Sequence, residues 1–423
     1  MIHIPPSLKH RRFFYLWSGQ LLSIAGTQMQ IWALFWHIRT LTEEPIALGG
    51  VGLARILPVI IFSLIGGVVA DSFERRKVMF ITQTVMALVA LSLGLLTQSG
   101  QISIWLIYAL TAFQAIAVAF DSPARQALVP NLVPAKDLPN AFSMTSIASQ
   151  TGAIIGPALT GFVIIFGGQA AVYYINSISY LAVILALILI GQVPQTKTDR
   201  IAGVSLASIK EGIQFIVNKP IILSTMLLDF VATFFASANT LMPIVARDVL
   251  HVGVVEYGWL SAAQSAGAVM AALVVSQLPE VRRQGQLFLG SVVVFGVATV
   301  VFGVSRSLVL AWFALAITGA ADAVSTIIRN TIRQLQTPDH IRGRMTSVNQ
   351  IFFQGGPQLG EVEAGVVAQL FGAPLAIISG GIGCIVGMWL ILRKWPLLLT
   401  YNGDEHLPRG AGAPADMRSS PVD

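Results

Sequence analysis

The tetrapeptide Met144-Thr145-Ser146-Ile147 returns 201 residues later as Met345-Thr346-Ser347-Val348. Three further matches follow at nearly the same spacing: Asp121 with Asp322, Gly156-Pro157 with Gly356-Pro357, and Arg75-Arg76 with Arg282-Arg283. One match would carry little weight. Together, in the same order along the chain, they indicate two similar halves.

The composition indicates a membrane protein. Hydrophobic residues make up 55% of the 423 positions and charged residues only 11%, whereas a soluble domain carries roughly 25% charged residues. The apolar residues occur in runs of about 20, the length of helix that crosses a hydrocarbon core roughly 30 Å thick. This excludes a soluble enzyme, a disordered chain and a secreted disulfide scaffold, and the single cysteine, Cys384, excludes an internal disulfide.

Twelve such runs are predicted, and each is expected to be a helix because backbone groups in lipid must bond within their own segment. The predicted fold is an all-α membrane protein with twelve transmembrane helices in two pseudo-symmetric six-helix bundles. The spans lie near 13–36, 47–70, 78–97, 102–120, 140–166, 171–192, 220–244, 257–278, 287–304, 308–328, 345–369 and 374–395.

The basic residues orient these spans. Of the 26 Lys and Arg residues, 22 fall in segments on the side of the N-terminus, three fall on the other side, and Arg55 lies inside a span. Cytoplasmic segments carry the excess of Lys and Arg, so both termini are expected in the cytoplasm.

The repeat and the longest connection divide the chain into four parts. They are an N-terminal half (1–192), a cytoplasmic linker with an amphipathic helix (193–219), a C-terminal half (220–396) and a tail (397–423). The tail is expected to be disordered because it is rich in Gly, Pro and charge.

The connection between spans 2 and 3 reads Gly67-Val-Val-Ala-Asp71-Ser-Phe-Glu-Arg75-Arg76-Lys77. It resembles the loop motif of the major facilitator superfamily, Gly-x-x-x-Asp-Arg-x-Gly-Arg-Lys/Arg, with Ser72 and Glu74 as departures. Asp71 can accept hydrogen bonds from a helix N-terminus of the other half, while Arg75 holds its carboxylate. We predict a latch between the halves, the alternative being a solvated basic turn. The latch residues are Gly67, Asp71, Arg75 and Arg76.

Two six-helix halves with a cytoplasmic linker also resemble this superfamily. The resemblance implies a substrate site near the midplane between the halves, and rocking of the halves that opens the site to one side at a time. It also implies that helices 1, 4, 7 and 10 line the cavity, and that helices 2 and 11 face each other.

The fifth span carries Gly152-Ala-Ile-Ile-Gly156-Pro157-Ala-Leu-Thr160-Gly161. It resembles the Gly-Pro motif of superfamily exporters, with Thr160 in place of one glycine, although ordinary close packing of small residues is the alternative. Longer stretches, among them Leu359-Gly360-Glu361-Val-Glu363-Ala-Gly365, resemble the bacterial exporter branch that includes the enterobactin exporter. That branch implies efflux of siderophores, drug-like amphiphiles or other secreted metabolites. The motif residues are Gly152, Gly156, Pro157 and Gly161.

Ionisable residues inside spans cost roughly 2.5–3.5 kcal/mol each on insertion scales, so each is a candidate functional group. Arg55 and Glu361 lie at matching depths in spans 2 and 11. We predict that Arg55 pairs across the halves with Glu361 or Glu363, but not both, since residues two apart project about 200° apart on a helix. Such a pair would hold the outer gate shut until a proton is taken up. A static bridge within one half is the alternative.

Asp229 lies about nine residues into span 7, near the midplane, where a carboxylate can serve a proton relay. We predict it as the first choice of proton carrier, with Glu361 and Glu363 as further proton-coupling residues. The predicted cavity lining is Gln28, Trp32, Gln114, Thr233 and Asp322. The predicted network at the cytoplasmic helix ends is Asp121, Arg125 and Arg329.

The sequence thus predicts a secondary active transporter rather than an enzyme: a proton-coupled exporter of small molecules, monomeric, in the inner membrane, with no nucleic-acid partner. The six histidines are expected in loops or tails without metal-ligand spacing, and no Gly-Lys dipeptide of a P-loop occurs, so neither a metal site nor a cofactor is expected. Two alternatives stay open. One is an importer or uniporter of the same fold, and the other is a non-transporting membrane sensor or partner subunit.

Overall fold

The computed structural model describes residues 5–193, 206–236, 238–277 and 283–402. Over these ranges the regular secondary structure is helical and contains no strand, which confirms the all-α prediction. The α-helices are α1 (Arg11–Leu41), α2 (Pro45–Ser72), α3 (Arg75–Gln98), α4 (Ile104–Leu128), α5 (Leu138–Ile190), α6 (Leu206–Val217), α7 (Pro220–Phe235), α8 (Met242–Ile244), α9 (Val254–Ser276), α10 (Gln284–Val304), α11 (Leu308–Gln336), α12 (Asp339–Phe371), α13 (Ala373–Lys394) and α14 (Leu397–Thr400).

Within the described ranges, nine helical stretches are long and apolar enough to cross a membrane. One of them contains all of α5, which is two helices joined at Gly168, where the backbone φ of +72° interrupts the helix. Glycine adopts this left-handed conformation without the steric cost that a side chain adds. With α5 counted as two, and with the long but more polar α1 and α12 included, the described ranges are consistent with the predicted twelve spans.

The helices pack as two bundles. In the first, α1 and α3 pack on α5, and α2 packs on α4. In the second, α9 and α10 pack on α11, and α12 and α13 pack on α7. The bundles meet where α2 crosses α12 and where α5 crosses α9. Helices 2 and 11 of the predicted numbering, which are α2 and α12, therefore do face each other.

The two ends of the molecule differ in charge and in packing. At one end of the molecule lie Arg75 of α3, Arg125 of α4 and Arg329 of α11, and we call it the basic end. We call the opposite end the neutral end. Near the neutral end, one apolar core combines residues of both bundles, including Trp32 and Tyr257. Near the basic end each bundle has its own core. Phe13, Leu16 and Leu128 belong to the first, and Ile222, Phe288 and Ile332 to the second. The bundles are thus joined at one end and packed separately at the other.

The linker and the C-terminal segment flank the second bundle. The predicted amphipathic linker helix corresponds to α6, which packs against α7 and α12 and buries Ile216, while residues 194–205 lie outside the described ranges. The segment predicted as a disordered tail begins with α14. Tyr401, directly after α14, is fully buried, and its carbonyl accepts a hydrogen bond from the Gly285 amide at 2.9 Å. Residues up to 402 therefore belong to the folded body, and 403–423 lie outside the described ranges.

Candidate functional site

An ion pair joins the bundles where α2 crosses α12. Arg55 Nη1 donates to Glu361 Oε1 at 3.2 Å, and the two side chains are 29% and 12% exposed. Of the two carboxylates that the sequence left open, Glu361 is therefore the partner. Glu363 is half-buried and has no hydrogen bond or ion pair to the side chains described around it.

Small residues bring α2 and α12 close enough for this pair to form. A methyl group placed on Gly49 would lie 2.9 Å from the Glu361 carbonyl oxygen, and one placed on Gly365 would lie 2.9 Å from the Gly49 Cα. Contacts this short leave no room for a side chain. The two backbones therefore touch at the neutral end, as small residues allow between membrane helices.

A second ion pair joins the bundles at the neutral end, and sequence reasoning missed it. Arg39, at the end of α1, donates through Nη2 to Asp248 Oδ2 at 2.7 Å, and Arg247 Nη1 donates to the Arg39 carbonyl at 3.4 Å. Asp248 lies in a π-helical turn, Val245–Val249, that follows α8. The signal in the sequence was that Arg39 and Arg247 are two of only three basic residues predicted in the outer loops.

Asp229 lies inside the second bundle and pairs with an arginine of another helix. It is in contact with Arg329 of α11, and the two side chains are each 3% exposed. Arg329 also lies 3.9 Å from Asp322, whose side chain is 50% exposed. One turn further along α11, the buried Arg333 contacts Asn330 of the same helix and Asn349 of α12. Sequence reasoning assigned Asp229 and Arg329 to different groups and missed Arg333.

The first bundle buries its own carboxylate in a different way. Asp121 of α4 is 1% exposed and accepts hydrogen bonds from Thr82 and Gln83 of α3 at 2.9 and 3.0 Å. Arg125, one turn along the same helix, lies 3.5 Å away. The three residues predicted as one cytoplasmic-end network therefore fall into two, with Asp121 and Arg125 in the first bundle and Arg329 in the second.

The loop-motif arginines bind within the first bundle. Arg75 Nη1 donates to the Ala127 carbonyl at 3.0 Å and to Asn131 at 2.8 Å, and Arg76 Nε donates to the Leu187 carbonyl at 2.7 Å. These contacts fix α3 to the ends of α4 and α5. Gly67 and Asp71 lie in α2, and their side chains are outside the described part of the chain, so the predicted latch remains a prediction.

The Gly-Pro motif lies where α5 meets both α1 and α9. A methyl group on Gly156 would lie 2.6 Å from Gln28 Cβ, and one on Gly152 would lie 2.6 Å from Ile24. On the other side, Gly161 and Pro157 lie against α9, where a methyl group on Gly258 would approach the Pro157 carbonyl oxygen to 2.9 Å. The motif thus allows close packing within the first bundle and between the bundles.

A cavity of about 320 Å³ lies beside the Arg55–Glu361 pair. Its walls come from α1, α2 and α4, together with Gln358 of α12, and Arg55 and Gln114 are among the lining residues. Gln114 accepts a hydrogen bond from Gln30 at 2.7 Å and donates one to the Tyr180 hydroxyl at 2.9 Å. Sequence reasoning found Gln114 but missed Gln30, Tyr180 and Gln358, because their meeting depends on how the helices are rotated.

The other predicted lining residues have different surroundings. Trp32 is 8% exposed and belongs to the shared core, with its carbonyl accepting from the Tyr257 hydroxyl at 2.9 Å. Gln28 packs against Gly156, and Thr233 packs against Gly356 of α12. Contrary to the expectation for the histidines, His37 lies within α1, where it is buried and its Nδ1 is 3.0 Å from the Tyr173 hydroxyl. No group of three potential metal-ligating residues occurs among the side chains described.

The chain matches one family along nearly its whole length. Residues 5–403 match the family described as transmembrane secretion effector. The enterobactin exporter EntS of Citrobacter koseri is 28% identical over 330 residues, which cover 78% of this chain and 79% of the relative. EntS of Shigella boydii is 27% identical over 330 residues, which again cover 78% of this chain and 79% of the relative.

Solved structures share the fold. A bacterial homologue of the human lysosomal transporter Spinster, in an inward-facing and unoccupied conformation, superposes with a TM-score of 0.71 at 14% identity, covering 94% of this chain and 97% of that one. The nucleoside transporter NupG gives a TM-score of 0.71 at 13% identity, covering 92% and 99%. At these identities the likeness concerns the fold alone.

Proposed function

Because the chain belongs to the transmembrane secretion effector family of major facilitator superfamily transporters, we propose that it is a proton-coupled exporter of small molecules that works by alternating access. It acts as a monomer in the cytoplasmic membrane, with both termini in the cytoplasm. The basic end then faces the cytoplasm, as the excess of Lys and Arg favours, and the neutral end faces outward.

The observation that carries this proposal is the difference between the two ends. At the neutral end the bundles share a core and two ion pairs. At the basic end each bundle has a separate core, and the ion pairs described there stay within one bundle. A transporter that is shut to the outside and can receive cargo from the cytoplasm has this arrangement.

Proton coupling is assigned first to buried carboxylates that pair with an arginine of another helix. Asp229 is the first choice because it lies in the membrane and pairs with Arg329 of another helix. A proton on Asp229 removes the negative charge that holds Arg329, so protonation changes how α7 and α11 attract each other. Glu361 pairs with Arg55 of the other bundle, so a proton on Glu361 weakens the attraction between α2 and α12. Glu361 is therefore the second coupling residue, and its pair with Arg55 is the gate. Glu363 has no arginine partner among the described side chains and is the third candidate only because it is half-buried near that gate.

The membrane potential supplies enough free energy for this mechanism. Moving one elementary charge across 100 mV releases about 2.3 kcal/mol, which corresponds to a cargo gradient of roughly 50-fold. One proton per cargo molecule is therefore a sufficient driving force.

The proposed cargo is a siderophore, a drug-like amphiphile or another secreted metabolite. The relatives at 28% and 27% identity are named for export of enterobactin, which favours the siderophore class. An importer or uniporter of the same fold is the second candidate. The coupling assignment disfavours a uniporter because Asp229 and Glu361 would then have no proton to exchange.

The test uses purified protein in liposomes under an imposed pH gradient. The cargo is enterobactin, together with any compound that cells lacking the protein retain. The proposal predicts cargo-dependent proton movement, lost in Asp229→Asn and kept in Asp121→Asn. The Asp121 carboxylate accepts from neutral donors of α3 and, among the described side chains, pairs only with Arg125 of its own helix. Cargo movement without proton movement indicates a uniporter. If cells lacking the protein retain no compound and the liposomes move none, the protein is not an exporter.

A further inference from the structure

The last long helix, α13, exposes apolar side chains on the flank of the second bundle. It packs on α7, α10 and α12, which all belong to that bundle. Trp389 and Leu390, in the last two turns of α13, are 45% and 55% exposed. Large apolar side chains exposed on a membrane span face the hydrocarbon of the bilayer. This side of α13 therefore faces lipid.

Two cations lie one turn beyond these apolar residues. Arg393 follows Trp389 by four positions. Lys394 follows Leu390 by the same spacing, and residues four apart share a face of a helix. Both cations are exposed. The 22 residues of α13 extend about 33 Å at ~1.5 Å per residue, close to the thickness of a hydrocarbon core of roughly 30 Å. Arg393 and Lys394 therefore lie at the level of the lipid headgroups, at the basic end.

Indole rings hold these two cations while their N–H groups stay available. The Arg393 guanidinium lies over the Trp389 ring, 3.6 Å from its centroid. Lys394 Nζ lies over the Trp395 ring, 4.7 Å from its centroid. A guanidinium over an aromatic face can still donate from its edge. Neither cation has a hydrogen bond or an ion pair with another residue in the described part of the chain.

The neighbouring elements add positive charge and no negative charge. α10 packs on both α13 and α14, and the exposed Arg283 directly precedes α10. The segments α10, α13 and α14 contain no Asp or Glu. We call Arg283, Arg393 and Lys394 the flank cations. Since no carboxylate of these elements balances them, they attract an anion.

The short helix α14 continues the apolar surface past the flank cations. Leu398 is fully buried, and its carbonyl lies against Gly285 of α10. Leu397 and Leu399, on either side of Leu398, are 48% and 42% exposed. One side of α14 is thus fixed to the bundle, and the other side presents leucines. Arg393 and Lys394 therefore lie between two exposed apolar stretches of the chain.

We propose that the flank cations bind the headgroup of an anionic phospholipid, with its phosphate at Arg393 and Lys394 and its acyl chains against Trp389 and Leu390. A guanidinium offers paired N–H donors that match two phosphate oxygens. A phospholipid fits better than a free phosphate because the exposed apolar side chains beside the cations accommodate acyl chains. The surface lies apart from α9 and α12, the helices that cross the first bundle. It goes beyond the proposed function, since binding needs neither export nor proton coupling.

Native mass spectrometry of the purified full-length protein in a non-ionic detergent measures this binding. The probes are phosphatidylglycerol, whose headgroup is an anion, and phosphatidylcholine with the same acyl chains, whose headgroup has no net charge. We expect phosphatidylglycerol to bind at least about fivefold tighter, because each Lys or Arg at an anionic lipid surface is worth about a factor of five in affinity.

Matched substitutions locate the binding. Arg393→Gln is expected to weaken phosphatidylglycerol binding about fivefold and to leave phosphatidylcholine binding unchanged. Its Tm without added lipid should equal that of the unsubstituted protein, because Arg393 is exposed. The control is Lys77→Gln, which removes the same charge at the basic end of the first bundle. Lys77 is 74% exposed and already pairs with Glu74 at 2.9 Å, so phosphatidylglycerol binding should not change.

A second substitution tests the aromatic support. Trp389→Leu keeps an apolar side chain but removes the ring beneath Arg393, so it is expected to weaken phosphatidylglycerol binding about twofold. This loss should be smaller than that of Arg393→Gln, because the charge itself remains.

Three results would overturn the proposal. The first is equal affinity of the unsubstituted protein for the two lipids, and the second is equal phosphatidylglycerol affinity of Arg393→Gln and Lys77→Gln. The third is release of bound phosphatidylglycerol when inorganic phosphate replaces chloride at the same ionic strength, which would mean that the cations bind free phosphate. None of these results bears on cargo or proton movement in liposomes, so the lipid site and the proposed function fail separately.

Discussion

Ion pairs at the neutral end join one bundle to the other, whereas ion pairs at the basic end stay within one bundle. Arg39–Asp248 and Arg55–Glu361 belong to the first kind, and Arg125–Asp121 and Arg329–Asp229 to the second. Bundles that move as rigid bodies break the first kind, whereas the second kind stays intact unless one partner takes up a proton. The same chemistry therefore serves closure at one end and the integrity of a bundle at the other.

The two kinds of pair also differ in burial. The side chains of Arg329 and Asp229 are each 3% exposed, while those of Arg55 and Glu361 are 29% and 12% exposed. Removing one partner of a buried pair leaves an uncompensated charge, which is far more costly than loss of a partly solvated pair. Substitutions at the two ends should therefore have effects of different size and kind.

The largest effect is expected from Asp229→Leu, which leaves Arg329 buried with only the more distant Asp322. Breaking a buried pair costs about 3–5 kcal/mol, so thermal unfolding in detergent should begin at a clearly lower temperature. The double variant Asp229→Leu with Arg329→Met should recover much of this loss, because neither charge remains, but should not recover proton-coupled transport. A double variant as unstable as the single one would show that the pair does not hold the second bundle together.

The next largest effect is expected from Gly365→Val, which places a branched side chain where α12 touches Gly49 of α2. The helices must then separate at the neutral end, so transport should fall at least tenfold while the helical content stays the same. The matched control is Gly290→Val on α10, where a methyl group would meet no atom within 4 Å. Equal transport by the two variants would refute a closed crossing at this position.

The smallest effect is expected from Arg55→Gln. A partly exposed pair contributes less than about 1 kcal/mol, so stability should hardly change, but the population open at the neutral end should rise by up to about fivefold. The rate at which a cysteine introduced in place of Val59 reacts with a water-soluble maleimide measures this population. Arg306→Gln, at an exposed position of the same end, serves as the control. Equal rates in both variants would show that Arg55 does not hold the gate.

Some of this arrangement could be predicted from the sequence, because membrane helices have a fixed rise per residue. The depths of Arg55 and Glu361 follow from counting residues to the span ends, and the resemblance to the superfamily implies that helices 2 and 11 face each other. The choice between Glu361 and Glu363 required the rotation of α12, which follows from the packing of Gly49 and Gly365.

Other features depend on irregular backbone or on side chains from several helices. Asp248 meets Arg39 through a π-helical turn that a regular span over 220–244 does not include. The network of Gln30, Gln114 and Tyr180 joins three helices, and each residue alone looks like an ordinary polar residue in a span. Trp32 was expected in the cavity because of its helix, but packing against Tyr257 places it in the shared core.

The proposed transport requires that the bundles rock so that one end opens as the other closes. Spin labels on cysteines introduced at Gln126 and Leu335 report the basic end, and labels at Glu43 and Arg306 report the neutral end, both in a Cys384→Ala background. Pulsed electron paramagnetic resonance then gives the two distances in the membrane at high and low pH. We expect that a change from one of these pH values to the other lengthens the Glu43–Arg306 distance and shortens the Gln126–Leu335 distance. Two distances that stay constant, or that lengthen together, would contradict it.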